Sequence, residues 1–433
     1  MNHFTLNRIS AGYLAVFALI VTGVAPRSVA LVALAVLALW MLRAPLENGV
    51  LFFIRSVPLF LALPLTASYD NLNMWRPLAL VLLLRFLMQS DTWQELSVAW
   101  HDFWSAPARW LKSHALLRRL MILLVIAGLS LLAAPSSGVG LIRIIYFANL
   151  LTVPAILWAL LRRGSLPTRD AIHSVAWSTI LVVIVGILQV ASTYFMDIYQ
   201  FMRLWGEGIQ LRQFGSHWSY IAVYLGNTWF AYYGTQLSLR VFSLFTDSHT
   251  FPLYVLMGIP ALLALSLGPV LTVAQRGVRV MARTRARMMI LWVPLALLMT
   301  ILSGTRGIWA ASIGVSMLAL LLMWVMKRTS TDAVRTATFR YLSLYLGVFI
   351  LLFTVAWPIF ISPQFLVSKG DFGILGSRVR SILDFGETSN AIRLAIWKSS
   401  LSSIAQHPLL GVGIGNFPVV LGQDIGLAKA GST

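Results

Sequence analysis

Long apolar stretches alternate with short polar segments along almost the whole chain. A helix needs about 20 apolar residues to cross the hydrocarbon core of a bilayer, and continuous apolar runs favour helices over the alternating strands of a barrel. The pattern therefore predicts an all-α, polytopic transmembrane helical bundle of about 11 spans. We place them at 10–25, 28–42, 49–67, 75–89, 120–137, 140–161, 173–196, 251–273, 287–303, 306–326 and 341–362.

The composition agrees with a membrane protein and limits the kinds of functional site that the chain can have. Of 433 residues, 58% are hydrophobic and 11% are charged, with a mean hydropathy of +0.81. The formal charge of +19 comes from short basic clusters between apolar runs, which is typical of topology signals and not of a nucleic-acid surface. We expect membrane lipids and no nucleic acid as partners. Cysteine is absent, so disulfides, thiolate metal sites and cysteine nucleophiles are excluded.

The distribution of Lys and Arg predicts which face each loop occupies. Short loops rich in these residues lie in the cytoplasm, and one alternate set of loops holds most of the short basic clusters. The N-terminus is therefore expected in the cytoplasm, and two long segments, 197–250 and 363–433, on the outer face. Segment 89–119 contains four tryptophans among charges, which indicates an amphipathic helix on the cytoplasmic surface.

These segments divide the chain into two expected parts. Residues 1–250 form an N-terminal transmembrane bundle with the amphipathic helix 89–119 and the outer segment 197–250. Residues 251–433 form a second bundle with a large outer loop, 363–433. The apolar positions in that loop predict an amphipathic helix that is broken at His407-Pro408, because proline cannot continue a helix.

The stretch "LSGTRGIWAASIG", residues 302–314, places an arginine where one span ends outside and the next begins. Gly304 and Gly307 permit a tight turn and a close approach of backbone amides to a ligand, and the N-terminus of a helix favours anions. Arg306 can grip a phosphate with two hydrogen bonds, with Thr305 beside it. The alternative is an interfacial arginine that pairs with lipid headgroups.

A second arginine occupies a similar position. Arg240 begins "RVFSLFTDSHTFPLY", a polar stretch directly before another predicted span, and faces the outside by the same topology. Two outer arginines would suit a pyrophosphate if the bundle brings them together. Otherwise they are two unrelated interfacial cations. Within the spans, Arg55 lies near the middle, where a charge is costly and often functional.

Several common chemistries have no motif here. The sequence contains no Asp-x-Asp, His-Glu-x-x-His, Walker or Gly-x-Ser-x-Gly motif, so we expect neither a metal ion nor a cofactor. The predicted spans also hold no Asp or Glu, which proton- or sodium-coupled carriers usually bury. A polysaccharide or lipid transporter is therefore the weaker alternative from another functional class.

The order of these features resembles the O-antigen ligase and polymerase family of polytopic glycosyltransferases. An arginine precedes a span, "SGTRGIW" opens another, and a long outer loop contains "HPLLGVGIGNF". The last stretch is similar to the loop motif of that family, and its matching residues are His407, Pro408, Leu409, Gly411, Gly413 and Phe417. The resemblance covers roughly residues 235–433, so that 251–433 would be an O-antigen-ligase-like core.

The resemblance implies a metal-independent, inverting transferase in the bacterial inner membrane. Its donor would be a glycan on undecaprenyl pyrophosphate, and its acceptor a sugar hydroxyl of lipid A core for a ligase or the end of a growing glycan for a polymerase. Arg240 and Arg306 would bind the pyrophosphate and stabilise the leaving group. Gly304, Thr305, Gly307, Arg378 and Arg380 are further candidate substrate-binding residues.

Two departures from the family pattern also shape the expectations. The stretch "SLFTDSHTF" stands where the family commonly has an Asn-Pro-like turn. In addition, the resemblance implies a catalytic histidine and a returning span after the glycine-rich motif, at the point where this sequence ends at Thr433. We expect twelve spans and that histidine in the complete protein, and we interpret His407 as an anchor of the loop.

Overall fold

The chain is largely helical. In a computed structural model, the described residues are 3–66, 70, 72–107, 109, 112, 115–216, 229–233, 236–276, 289–325, 332–360, 362 and 388–422. The helices of this part are α1 (His3–Val21), α2 (Val29–Arg43), α3 (Leu46–Ser56), α4 (Trp75–Leu87), α5 (Ser90–Ser105), α6 (Ala115–Ser130), α7 (Ser137–Arg163), α8 (Thr168–Ser192), α9 (Ile198–Phe201), α10 (Leu211–Phe214), α11 (Thr250–Arg276), α12 (Trp292–Leu302), α13 (Arg306–Val325), α14 (Asp332–Phe360) and α15 (Thr388–Gln406). A π-helix, Met202–Gln210, joins α9 to α10, and 3-10 turns occupy Val57–Leu59, Leu131–Ala133 and Phe417–Leu421.

Each predicted span falls on one of these helices, but the span predicted at 49–67 is not a single helix. Helix α3 ends at Ser56 and is followed by a 3-10 turn, Val57–Leu59, and then by a short strand. The break occurs at Pro58, which lacks the backbone N–H that would continue the hydrogen bonds of the α-helix. The prediction was therefore wrong for residues 57–66, and residue 67 lies outside the described residues.

Four helical stretches in the described part are long and apolar enough to cross a membrane, namely Phe4–Val21, Ser137–Arg163, Thr168–Ser192 and Leu342–Phe360. Only 11% of the apolar window in the last of these is buried within the protein, so its surface suits contact with lipid. Three shorter helices, Val29–Arg43, Thr250–Ser266 and Trp292–Leu302, are also apolar. These helices support a membrane protein, and the number of about 11 spans stays a prediction.

Two short antiparallel strand pairs, absent from the all-α prediction, join the helices. Strand β1 (Ala62–Leu63) pairs with β2 (Leu72–Asn73), and β3 (Phe230–Tyr233) pairs with β4 (Gln236–Leu239). Such short strands lack the alternating pattern that would reveal them in the sequence. The second pair has a functional consequence, because β4 leads directly into Arg240.

Two apolar cores meet at the segment that follows β4. One core packs around α1 to α4 and α7 and includes Phe52 and Leu244. The other packs around α8, α11, α12 and α14 and includes Trp229, Phe242 and Trp309. Since Phe242 belongs to one core and Leu244 to the other, residues 241–245 are held between them.

Two buried or half-buried arginines tie helices together. Arg55 donates to Asn7 Oδ1 at 2.7 Å and to Ser174 Oγ at 3.1 Å, which connects α3 with α1 and α8. Arg163 makes a two-pronged ion pair with Glu95, with distances of 2.8 and 2.9 Å, and so joins the end of α7 to α5. The costly position of Arg55 therefore has a structural explanation.

Candidate functional site

Arg240 lies buried at the end of β4, beside the turn between α12 and α13. Its side chain is 8% exposed. The Nη2 atom donates to Thr305 Oγ1 at 3.1 Å, and Nε donates to the Ser303 carbonyl at 3.4 Å. The backbone is also fixed here, because Val241 N donates to the Leu302 carbonyl at 3.2 Å. These bonds place a guanidinium group against the turn that carries Arg306.

The α12–α13 turn is built by two glycines and a threonine. Gly304 has a φ of +63°, which favours glycine, and it reverses the chain after Leu302. Thr305 Oγ1 donates to the Ser248 carbonyl at 2.7 Å while it accepts from Arg240. Arg306 is then the first residue of α13 and is half-buried. A Cβ at Gly307 would meet no atom of the described residues within 4 Å.

The fold therefore brings Arg240 against the residue that precedes Arg306, 65 positions further along the chain. Arg240 contacts Thr305, the residue immediately before Arg306. The contact brings together the two segments that carry the arginines, and a pocket formed by both guanidinium groups stays a prediction. The Arg240 guanidinium beside the N-terminus of α13 has the chemistry to bind an anion.

Three buried glutamines hold the segment that carries this site, and no pattern in the sequence pointed to them. Gln189 Oε1 accepts from the backbone N–H groups of Phe242 and Ser243 at 2.9 and 3.0 Å. Gln213 Nε2 donates to the Leu244 carbonyl, and Gln210 Nε2 to the Phe245 carbonyl. Because buried backbone groups must be paired, these bonds fix residues 242–245.

Asp247 and His249 complete the described site, and sequence reasoning missed both. His249 Nε2 lies 3.3 Å from Arg240 Nη2. Asp247 Oδ1 accepts from the backbone of His249 and Thr250 at 2.7 and 2.8 Å, at the start of α11. Burial alone raises the pKa of this carboxyl, but hydrogen bonds from His249 and Thr250 outweigh burial and hold the pKa well below its usual range. Asp247 is therefore an anion at neutral pH.

A large apolar cavity begins next to this site. Its volume is about 680 Å³, and its walls come from α3, α4, α7, α8 and α11 and from residues 244–246. Most of the lining is apolar, with side chains such as Phe53, Leu157 and Met257. Thr246 lines the cavity and directly precedes Asp247, so the polar site and the apolar cavity share one segment.

The glycine-rich motif packs elsewhere, against the junction of α6 and α7. Asn416 is fully buried, accepts from Ser136 N at 3.0 Å and donates to the Ser136 carbonyl at 3.2 Å. Ile414 N donates to Ser130 Oγ at 3.1 Å. A Cβ at Gly413 would collide with Ala134, so glycine permits this close approach.

The remaining motif residues have simpler settings. Helix α15 ends at Gln406, directly before His407-Pro408, as predicted. The side chain of His407 is exposed, Gly411 has a φ of +62°, and Phe417 begins a 3-10 turn. Arg378 and Arg380 lie outside the described residues. Among the residues that are described, His, Asp and Glu form no group of three or more that could hold a metal ion.

The comparisons with known proteins identify one domain. Residues 291–429 match the family model described as O-antigen ligase. The match begins at α12, includes Arg306 and the motif His407–Phe417, and leaves Arg240 outside. No curated protein and no solved structure matches the chain significantly.

Proposed function

We propose that this member of the O-antigen ligase family, identified by the domain at residues 291–429, transfers a glycan from undecaprenyl pyrophosphate to a sugar hydroxyl. The reaction would take place at the outer face of the bacterial inner membrane. Membership of the family implies glycan transfer of the ligase or polymerase type. The identity of the donor, the identity of the acceptor and the face of the membrane on which transfer occurs all belong to this proposal.

The contact between Arg240 and the turn before Arg306 carries the proposal. Nη2 of Arg240 lies 3.1 Å from Thr305 Oγ1, so its guanidinium group lies beside the helix N-terminus at which Arg306 is the first residue. A diphosphate has two anionic groups to engage the two arginines, and guanidinium binds phosphate oxygens with two parallel hydrogen bonds. The preformed turn holds these donors in place before a substrate arrives.

The chemistry follows from the charge that develops during transfer. The oxygen of the acceptor hydroxyl attacks the anomeric carbon and gives up its proton to water or to the departing pyrophosphate. The bond between that carbon and the pyrophosphate oxygen breaks, and its electrons leave with the pyrophosphate. Arg240 and Arg306 stabilise the added negative charge in a site of low dielectric, where such stabilisation is strong. Attack opposite the leaving group would invert the anomeric centre.

The neighbouring cavity supports a lipid-linked donor. Its volume of about 680 Å³ and its apolar walls suit an isoprenoid chain better than a free sugar nucleotide. The cavity reaches Thr246, three residues before His249, so a chain within it would leave its pyrophosphate near Arg240. A ligase and a polymerase share this donor and differ in the acceptor.

The experiment is glycan transfer by the purified full-length protein from a defined lipid pyrophosphate donor. Lipid A core and a second donor molecule serve as alternative acceptors in parallel reactions. Product on lipid A core supports a ligase, and a lengthened glycan on the lipid carrier supports a polymerase. If donor is taken into vesicles without any new glycosidic bond, the protein is a carrier and the proposal is wrong.

The sidedness is tested separately. We expect reporter fusions at Arg283 to face the cytoplasm and fusions at Glu387 to face the outside, because the basic clusters predict this topology. The opposite result for both fusions would contradict transfer at the outer face.

A further inference from the structure

His249 occupies a position that the family motif does not explain. Its Nε2 atom lies 3.3 Å from Nη2 of Arg240, and its side chain is 53% exposed. The imidazole therefore borders both the buried guanidinium and the open side of the site. A ligand that reaches Arg240 from the open side passes next to this ring.

Asp247 lies beside the Nδ1 side of the ring. The Nδ1 atom of His249 lies 3.6 Å from Asp247 Oδ1, and the same carboxylate oxygen accepts from His249 N at 2.7 Å. Asp247 is itself held by Thr250, whose backbone N–H and hydroxyl donate at 2.8 and 2.7 Å. Consequently Nδ1 is directed to an anion and Nε2 to the cation of Arg240.

This arrangement changes its preferred protonation when an anion arrives. A guanidinium group has only donors, so Nε2 presents a lone pair to Arg240 while the two groups face each other directly. An anionic oxygen between Nη2 and Nε2 instead requires a proton on Nε2. The ring would then carry a positive charge, with the Asp247 carboxylate on one side and the bound anion on the other, and both stabilise that charge.

We propose that His249 is a third ligand of the donor pyrophosphate, beside Arg240 and Arg306, and that it takes up a proton when the pyrophosphate binds. The identity of the anion rests on the proposed function. Two charged groups lie beside His249, namely Asp247 from its own turn and Arg240 from the end of β4. Arg306 follows Thr305, which also accepts a hydrogen bond from Arg240.

Binding of inorganic pyrophosphate to the full-length protein in detergent tests this role without a glycan. His249→Phe removes both nitrogens, and His249→Gln keeps a donor that cannot titrate. Because a charge-assisted hydrogen bond is lost, we expect His249→Phe to weaken binding roughly tenfold or more. His101→Gln is the matched control, since that histidine is 83% exposed on α5, and it should bind like the wild type.

The pH dependence separates a ligand from a structural residue. Pyrophosphate itself titrates near neutral pH, so each variant is compared with the wild type at the same pH. The advantage of the wild type over His249→Gln should grow as the pH falls, because the proposed uptake of a proton is favoured at lower pH. An equal ratio at every pH, or wild-type affinity in His249→Phe, would contradict the proposal.

Transfer assays on the same variants distinguish this inference from the proposed function. If the His249 variants lose pyrophosphate affinity and the wild type transfers no glycan, the inference holds and the proposed function is wrong. If the wild type transfers glycan and the variants bind pyrophosphate normally but turn over slowly, His249 acts on the acceptor. In that case the inference is wrong and the proposed function stands.

Discussion

Nη2 of Arg240 donates a hydrogen bond of 3.1 Å to Oγ1 of Thr305, 65 residues further along the chain. The same hydroxyl donates to the Ser248 carbonyl at 2.7 Å. One threonine thus connects the start of α13 with the end of β4 and with the turn before α11. The two arginines of the proposed pyrophosphate site depend on this connection.

Glycan transfer should require an arginine at position 306. We expect Arg306→Ala to lower transfer by about 2–4 kcal/mol of transition-state stabilisation, by analogy with the loss of one preorganised donor. Arg306→Lys should be nearly as damaging, because lysine keeps the charge and loses the two-pronged geometry. The measurement is the rate of transfer from a purified lipid pyrophosphate donor.

Arg119→Ala serves as the control for Arg306, since Arg119 is an exposed arginine on α6. All three variants should keep the wild-type thermal midpoint, because Arg306 is only half-buried. Wild-type turnover in Arg306→Ala would mean that this arginine is an interfacial anchor.

The hydroxyl of Thr305 should matter more than its methyl group. Thr305→Val preserves the shape but leaves Arg240 and the Ser248 carbonyl without this partner, and unpaired buried groups cost about 1–3 kcal/mol. We expect a lower free energy of unfolding and slower transfer. Thr305→Ser keeps the hydroxyl and should retain most of both. The two variants are compared by thermal unfolding and by transfer rate, and equal effects would rule out the hydrogen bonds as the cause.

Gly413 should be required for docking of the glycine-rich motif. Alanine at Gly411 or Gly413 pays the cost of a left-handed backbone, about 1–2 kcal/mol. Only at Gly413 does the new methyl group also collide with Ala134, whereas at Gly411 it meets no atom within 4 Å. We expect Gly413→Ala to release the loop, seen as faster proteolysis after α15 and lower transfer, with a smaller effect for Gly411→Ala. The reverse order would contradict the observed packing.

Lowering the pH should weaken the interactions of Asp70 with Arg27 and Ser216. Arg27 Nη1 lies 2.6 Å from Asp70 Oδ2, and Ser216 N donates to the same oxygen at 2.8 Å. Burial raises the pKa of Asp70, but the hydrogen bonds from Ser216 and Arg27 outweigh burial and lower it. Because the pKa of Asp70 is lower in the folded state, these interactions stabilise the fold at any pH above the pKa of the unfolded chain, which is about 3.9. The stabilisation is lost as the pH falls through the pKa of the folded state.

The thermal midpoint of the wild type should therefore fall between about pH 5 and about pH 3, and part of this fall should be missing in Asp70→Asn. Asp102→Asn is the control, because the Asp102 side chain is 60% exposed. This control should follow the wild type across the range. If Asp70→Asn shows the same acid-induced change as the wild type, Asp70 does not contribute to it.

The sequence by itself determined the local features of this protein. Apolar periodicity and length predicted the helices, because membrane spans need only local composition. The break before Pro408 and the turn at Gly304 followed from backbone restrictions of single residues. The order of motifs in residues 235–433 indicated the O-antigen ligase family, and residues 291–429 match the model of that family.

Tertiary structure alone decided how distant residues meet. The contact of Arg240 with Thr305, the clamp of Gln189 on Phe242 and the docking of Asn416 on Ser136 join segments separated by 65, 53 and 280 residues. Their geometry depends on how two apolar cores pack around residues 241–245, and no local pattern encodes that packing. His249 appeared as a site residue for the same reason, since its significance lies in the 3.3 Å that separate it from Arg240.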